Sequence, residues 1–290
     1  MSVDVDKWLE YQPSTPKKQS SLNKPTVISI FNQKGGVGKT TSTISLAAAL
    51  ADFGRKVLVV DFDPQGSLTV GLTGIQDMEP TIYEAILGHA KASDIMLKTN
   101  VPGVDLIPAN IHLASAEIQL FQQYGREFAL QKVLSEVIAD YDYVLIDCLP
   151  SLGLLAVNAL STSDWILIPM QCEFYSMKGI GLLDETLDNV RSRINPKLKV
   201  LGMLPTMVGR SGHHRQVLER VIEEFGDLVF HTTIPETIKF SESTVASMPI
   251  TTYAAKSPAA TSYIKAAAEL IERIEKNPSV EIETQEVVNG

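Results

Sequence analysis

Short apolar runs recur along the chain at intervals that leave room for a helix between them. Each run is rich in valine, isoleucine and leucine, which is typical of strands buried on both faces of a parallel sheet. The runs lie at residues 26–31, 56–61, 103–108, 143–147, 164–169 and 199–204, with a possible seventh at 227–230. They predict a central sheet.

Stretches with apolar residues at helical spacing separate these runs. The predicted helices lie at residues 43–51, 81–88, 112–123, 127–139, 176–192, 213–225 and 259–276. This alternation predicts an α/β fold, a single doubly wound and mostly parallel sheet with helices on both faces. Because no internal repeat or linker interrupts it, residues 25–276 are expected to form one domain.

The two ends of the chain differ from this central part. Residues 1–24 combine proline, serine, lysine and glutamine and are expected to form a flexible arm. Trp8, Leu9 and Tyr11 within the arm are either a chance apolar cluster on the surface or a short docking motif. Residues 277–290 carry glutamates and no basic residue. They are expected to form a disordered acidic tail.

Composition narrows the class of protein. The chain has 290 residues, of which 44% are hydrophobic, so it can bury a sizeable core. No apolar run approaches the ~20 residues needed to cross a bilayer. The first residues are polar and acidic, unlike a signal peptide, and two cysteines give no disulfide framework. A cytoplasmic protein is expected.

A glycine-rich segment joins the first predicted strand to the first predicted helix. Residues 34–41 read KGGVGKTT. Glycines let backbone N–H groups wrap around phosphate oxygens, and the helix that follows presents the positive end of its dipole. Lys39 can reach the β- and γ-phosphates, and the Thr40 hydroxyl can ligate Mg²⁺. The segment therefore predicts a nucleotide site.

This loop departs from the usual G-x-x-x-x-G-K-[ST] pattern. Gln33 stands where the first glycine is expected, and a second lysine, Lys34, precedes Gly35. The variant resembles the deviant Walker A loop of the ParA/MinD family of P-loop ATPases. The resemblance implies that Lys34 reaches across a dimer interface to the partner's nucleotide.

Aspartates follow two of the predicted strands. Asp61 and Asp63 end the second, and Asp147 ends the fourth. In open α/β sheets this edge is where ligands bind. Asp63 could orient or activate an attacking water, and Asp61 could assist around Mg²⁺ through water. Asp147 resembles a Walker B aspartate, which holds Mg²⁺ directly or through water. Any one of these could be a turn or cap residue, but together with the loop they predict a Mg²⁺-dependent ATPase.

Four further segments resemble the chromosome and plasmid partition branch, the ParA/Soj proteins. They are VDFDPQG at 60–66, YDYVLIDCLPSLG at 141–153, PMQCEFY at 169–175 and TIPETIKFSE at 233–242. The resemblance covers roughly residues 26–275. It implies roles in catalysis for Lys34, Lys39 and Asp63. It implies Mg²⁺ binding by Thr40, Asp61 and Asp147. The residues that it implies for ATP binding are Lys34, Gly35, Gly36, Val37, Gly38, Lys39, Thr40, Thr41, and, around the adenine, Thr206, Met207 and Pro235.

Basic residues are concentrated in one part of an acidic chain. The net charge is −9, yet residues 191–220 hold seven basic residues and one acidic residue. This is either a solvated charged face or a surface for DNA phosphates, whose binding would depend strongly on salt. The resemblance implies DNA binding without sequence preference by the ATP-bound dimer. The candidate residues are Arg210, Arg215 and Lys239.

The leading expectation is a DNA-segregation ATPase at the nucleoid. ATP would drive homodimerisation and DNA binding, and a ParB-like partner would stimulate hydrolysis and release. The same cycle could instead position a protein cargo. A MinD-like membrane cycle needs a basic amphipathic C-terminal end, which this chain lacks. An iron–sulfur protein of the nitrogenase type needs differently placed cysteines, and a metabolic P-loop ligase would not need Lys34. The sequence leaves the cargo, the partner and the rate open.

Overall fold

A seven-stranded sheet forms the centre of the computed structural model, which describes residues 4–17, 24–172, 176–209 and 211–276. The strand order is β3-β4-β2-β5-β1-β6-β7, and β3 pairs antiparallel with β4, whereas the other pairs are parallel. The doubly wound α/β prediction is thus confirmed. The strands are β1 (Thr26–Ile30), β2 (Val57–Phe62), β3 (Leu97–Lys98), β4 (Val104–Ile107), β5 (Tyr143–Cys148), β6 (Trp165–Gln171) and β7 (Lys199–Thr206).

The prediction of a possible seventh strand at 227–230 is wrong. This segment forms a 3-10 turn at Gly226–Leu228 and makes a single bridge between Met203 and Val229. The seventh strand is β3 instead, at the opposite edge. Two residues are too few to show an alternation of apolar and polar positions, so the sequence could not reveal it.

Helices connect the strands on both sides of the sheet. The predicted helix at 127–139 is interrupted, with a short α-helix between 3-10 turns at Arg126–Phe128 and Ile138–Asp140. The helices are α1 (Val5–Leu9), α2 (Lys39–Asp52), α3 (Ser67–Thr73), α4 (Ile82–Ile86), α5 (Ala92–Ile95), α6 (Leu113–Leu120), α7 (Ala129–Leu134), α8 (Leu154–Thr162), α9 (Ser176–Arg193), α10 (Gly212–Phe225), α11 (Lys239–Val245), α12 (Ile250–Tyr253) and α13 (Pro258–Lys276).

Successive residues of each central strand enter two separate cores. In β2, Val57 and Val59 pack with α2, α3, α12 and α13, whereas Leu58 and Val60 pack with helices of the opposite layer, α4 to α10 among them. Burial on both faces explains the near-continuous apolar runs in the sequence. It also leaves the carboxyl ends of the parallel strands as the edge where loops meet.

The N-terminal segment (residues 4–17) lies against the domain. Val5 is buried, and the backbone N–H and hydroxyl of Ser14 donate to Glu272 at 3.0 and 3.1 Å. The Lys17 carbonyl accepts a hydrogen bond from the buried Arg55. Residues 4–17 of the expected flexible arm thus have partners on the domain for both their apolar and their polar side chains. Residues 18–23 and the expected tail at 277–290 lie outside the described residues.

Candidate nucleotide site

The glycine-rich loop links β1 to α2 at the centre of the sheet. Gly36 and Gly38 adopt left-handed backbone angles, with φ of 74° and 86°, and Gly38 caps α2. The Thr206 hydroxyl, at the end of β7, donates to the Val37 carbonyl at 2.8 Å and braces the loop. The first N–H groups of α2 have no partners within the helix, which makes this end suited to an anion.

Lys39 extends inside the loop. It is 7% exposed, and its ammonium donates to the Lys34 carbonyl at 3.2 Å. Burial lowers the pKa of Lys39, and the negative charge of Asp147 opposes that shift. A nucleotide phosphate would stabilise the charged form of this buried cation.

The Thr40 hydroxyl and the Asp147 carboxylate form a pair of oxygen ligands. They are joined by a hydrogen bond of 2.7 Å, and Thr43 lies 3.4 Å from the other Asp147 oxygen. Burial raises the pKa of Asp147 to about 8, and the charge of Asp61 adds to the effect. A bound divalent cation would offset the cost of burying the ionised Asp147 carboxylate. Mg²⁺ prefers one or two protein oxygens beside phosphate and water. The two residues therefore fit Mg²⁺.

Asp61 is fully buried and accepts hydrogen bonds within the protein. Thr69 donates to it through its backbone N–H at 2.8 Å and its hydroxyl at 2.7 Å, and the Asp63 N–H donates at 3.3 Å. The Thr69 hydroxyl also accepts from the Ala109 N–H at 2.9 Å. Burial raises the pKa of Asp61 to about 6. With these bonds in place, Asp61 positions the segment after β2, and a water-mediated role at Mg²⁺ stays a prediction.

Asp63 lies in a tight turn at the end of β2. Its carboxylate accepts from the Gln65 N–H at 2.9 Å, and its carbonyl accepts from the Gly66 N–H at 2.9 Å. Gly66 has φ of 63°, and a Cβ there would lie 3.1 Å from the Ala109 carbonyl oxygen. The turn leaves the Asp63 side chain half-buried at the edge that carries Asp61 and Asp147.

Lys34 has a different environment from Lys39. It is exposed, and its ammonium donates to Gln171, at the end of β6, at 3.1 Å. Asn32 accepts from the Lys34 N–H at 2.9 Å and donates to the Pro169 carbonyl at 2.8 Å. Asn32, Gln171 and Thr69 are site residues that the sequence did not single out, because amides and hydroxyls reveal their role only through their neighbours.

The residues expected around the adenine lie at the end of β7. Met207 has a positive φ of 53°, and its sulfur lies 3.0 Å from the Gln171 amide nitrogen. Pro235 lies opposite Val208 in an isolated bridge. This places Met207 and Pro235 near the loop that Thr206 braces, while their contact with adenine stays a prediction.

Both cysteines are buried and unpaired. Burial raises the pKa of the Cys148 and Cys172 thiols to about 12. Such thiols are poor nucleophiles and poor metal ligands. Within the described ranges there is no cluster of three or more histidine, cysteine or carboxylate side chains suited to a metal.

The expected DNA contacts fall in three different settings. Arg210 lies outside the described residues. Arg215 is exposed in the first turns of α10, and Lys239 is exposed at the start of α11. Arg191, in the same basic segment, donates to the Leu198 carbonyl at 2.9 Å and is thus bound within the chain.

Comparison with known proteins identifies the family. A family model described as an AAA domain matches residues 25–200. Sporulation initiation inhibitor protein Soj of Bacillus subtilis (strain 168) is 44% identical over 84% of this chain and 97% of its own. Chromosome partitioning protein ParA of Caulobacter vibrioides (strain NA1000 / CB15N) is 40% identical over 87% of this chain and 96% of its own. The chain belongs to the ParA/Soj family of partitioning ATPases.

A solved structure with a similar fold holds a nucleotide and magnesium. Cobyrinic acid a,c-diamide synthase from Mycobacterium smegmatis has bound ADP and magnesium, with a TM-score of 0.77 and 37% identity over 87% of this chain and 96% of that one. Another structure of that synthase holds an ATP analogue and magnesium. The buried Lys39 and the Thr40–Asp147 pair of this chain agree with the predicted cofactors, ATP and Mg²⁺. None of the helices in the described ranges has the length and apolar character that a bilayer crossing needs.

Proposed function

We propose that this ParA/Soj-family chain hydrolyses ATP to drive partition of a chromosome or plasmid. ATP binding leads to homodimerisation and to non-specific DNA binding at the nucleoid, in the cytoplasm. A ParB-like partner then stimulates hydrolysis and release. The observation that carries the proposal is the arrangement of Lys39, Thr40 and Asp147 around the loop, with the exposed Lys34 beside it.

Phosphoryl transfer to water needs charge neutralisation and positioning more than covalent chemistry. Mg²⁺, held by Thr40 and Asp147, supplies part of that neutralisation when bound. Lys39 and the N–H groups at the start of α2 bind the phosphates. Asp63, half-buried at the same edge, orients the attacking water. Since Asp61 and Gly66 fix the turn that carries Asp63, its position is set before the nucleotide binds.

The exposed position of Lys34 supports a role towards a second copy of the chain. Its ammonium lies at the surface, bound to Gln171 rather than inside the loop with Lys39. An exposed hydrogen bond contributes about 1 kcal/mol, less than a charge-assisted bond to phosphate, so a phosphate of a partner can recruit the ammonium. Hydrolysis that waits for the partner's lysine is slow in the monomer, which suits a cycle timed by another protein.

The proposal is tested with Lys34→Ala, using Lys91→Ala as the control. Both remove one exposed lysine, but Lys91 lies at the start of α5 and outside the loop. With ATP, we expect the Lys34 variant to remain monomeric in sedimentation and to lose binding to non-specific duplex DNA. The control should dimerise and bind as the wild type does, with affinity that falls steeply with salt. A DNA-binding dimer formed by Lys34→Ala would contradict the proposal.

An amidating ligase is the alternative that the synthase neighbour raises. It predicts ATP turnover that rises with cobyrinic acid and an amide donor. The partition cycle predicts no such rise and stimulation by a ParB-like protein instead. The ATP turnover assay also distinguishes the two kinds of cargo. For a DNA cargo, turnover should rise with a ParB-like protein bound to its centromere DNA, whereas for a protein cargo it should not.

A further inference from the structure

The N-terminal segment binds one of the candidate DNA contacts. The guanidinium of Arg215, on α10, donates to both carboxylate oxygens of Asp6, at 2.8 and 2.6 Å. Asp4 caps α1 by accepting from the N–H groups of Asp6 and Lys7, which fixes the direction of the helix that presents Asp6. The two acceptors thus meet the paired donors of a single arginine.

Apolar and aromatic contacts hold this segment in place on both sides of Asp6. Val5 is 3% exposed in the core layer that includes α10. The rings of Trp8 and Tyr11 stack on His231, with centroid distances of 4.1 and 4.3 Å. Two rings this close to one imidazole occupy its two faces. Asp6 therefore belongs to an anchored segment rather than to a loose surface ion pair.

The docked segment also carries a cost. The Trp8 indole N–H is buried without a hydrogen-bond partner in the described part of the structure. An unpaired buried donor opposes docking, because in water it would be hydrogen-bonded. The ion pair of Asp6 and Arg215 is itself more than half exposed, so solvent and salt weaken it. The contacts are sufficient to place the segment and weak enough to be displaced.

A carboxylate and a phosphate compete for the same guanidinium. Each offers two oxygens to the planar fork of arginine, and the Nη1 and Nη2 donors that Asp6 occupies make this paired contact with one anion at a time. Arg215 lies in the basic segment at 191–220, where DNA phosphates are expected to bind. A DNA phosphate that binds the same two donors must therefore displace Asp6, and a phosphate at any other donor of Arg215 lies close to the like charge of the Asp6 carboxylate.

We propose that the N-terminal segment is an autoinhibitory element that competes with DNA for Arg215. The inference rests on the proposed DNA binding and adds a regulator to it. Docking lowers the affinity of the ATP-bound protein for DNA, and any event that lifts residues 4–11 raises it. Trp8 and Tyr11 then serve as a docking motif for the chain's own surface.

The test uses Asp6→Asn in the full-length protein, with Glu10→Gln as the matched control. Both remove one carboxylate from the same exposed part of the chain, but the contact with Arg215 belongs to Asp6. With ATP and non-specific duplex DNA at low salt, we expect the Kd of Asp6→Asn to fall about two- to fivefold, the range of an exposed ion pair. The control should change by less than about twofold.

The Arg215→Ala background shows whether the effect passes through this contact. There, Asp6→Asn should leave the Kd unchanged, because the group that it releases is gone. An equal gain in that background would overturn the inference, as would a gain in the control that matches Asp6→Asn. If the wild type binds DNA with ATP and Asp6→Asn binds no more tightly, the inference alone fails. If neither binds DNA in any nucleotide state, the proposed function fails with it.

Discussion

The side chain of Lys39 is almost as buried as its apolar neighbours, although it carries a charge. Its ammonium donates to the Lys34 carbonyl, and the next residue, Thr40, donates to Asp147 on β5. The spacing of the motif predicts that Lys39 and Thr40 are adjacent on the loop. It does not predict the 2.7 Å contact with Asp147, because that depends on the pairing of β1 with β5.

Thr40→Val tests the Mg²⁺ ligand with little change in shape. We expect at least about a tenfold loss of Mg²⁺ affinity, since a metal ligand is replaced by a methyl group. The measurement is Mg²⁺-dependent binding of a fluorescent ATP analogue. Thr40→Ser, which keeps the hydroxyl, should retain affinity near that of the wild type. A Val variant with unchanged Mg²⁺ dependence would remove Thr40 from the site.

At the scale of elements, the strands were predictable and several helices were not. The buried runs located β1, β2, β4, β5, β6 and β7 to within a few residues. The sequence missed α3, which contains Gly71, and α8, which is apolar on nearly every side and gives no helical period. With α3 it also missed Thr69, which joins α3 to β2 and to Ala109, the second residue after β4.

Thr69→Val tests this junction, and Thr73→Val, one turn later on α3, is its control. Loss of the Thr69 hydroxyl removes a donor to the buried Asp61, so we expect a loss of about 1–3 kcal/mol in the free energy of unfolding. Thr73 is half-buried, and its hydroxyl donates to the Thr69 carbonyl. Thr73→Val should therefore lower the free energy of unfolding by less than Thr69→Val does. Urea denaturation measures both. Equal losses in the two variants would show that the bond from Thr69 to Asp61 adds no stability beyond that of an ordinary helix hydroxyl.

At the scale of the whole molecule, a buried carboxylate joins α13 to the segment that follows the 3-10 turn at Gly226–Leu228. Glu269 is 1% exposed and accepts from the N–H groups of His231 and Thr232, at 2.9 and 3.0 Å, and from Arg273 at 2.9 Å. Burial acts to raise the pKa of Glu269, but these partners outweigh it and hold the pKa below the ordinary value of 4.5. The folded state thus favours the ionised carboxylate.

Glu269→Gln should lower the free energy of unfolding by about 1.5–3 kcal/mol at pH 7. A lowered folded pKa stabilises the protein above pH 4.5, and this contribution is lost as the pH falls through the folded pKa. The difference in the free energy of unfolding between variant and wild type should therefore be constant from pH 5 upwards and become smaller below pH 4.5. Urea denaturation across this range measures it, with the exposed Glu223→Gln as control. A gap that widens in acid would contradict the assignment.

The docking of the N-terminal segment is the feature that the sequence could least predict. Its partners Arg215, His231 and Glu272 lie about two hundred residues or more further along the chain. Composition suggested a flexible arm, because the composition of a segment carries no information about its contacts with residues far away in the sequence. Trp8 and Tyr11 indicated a possible docking motif, but the sequence pattern did not predict that they stack on His231.

The central position of β1 has a consequence for the newly made chain. Its partners in the sheet are β5 and β6, so residues 26–30 pair with residues 143–147 and 165–167. On the ribosome, the first strand waits without neighbours until more than half of the protein has been synthesised. The loop at 34–41 gains its shape only then. Nascent chains should thus acquire nucleotide affinity late in translation, as a single step rather than gradually.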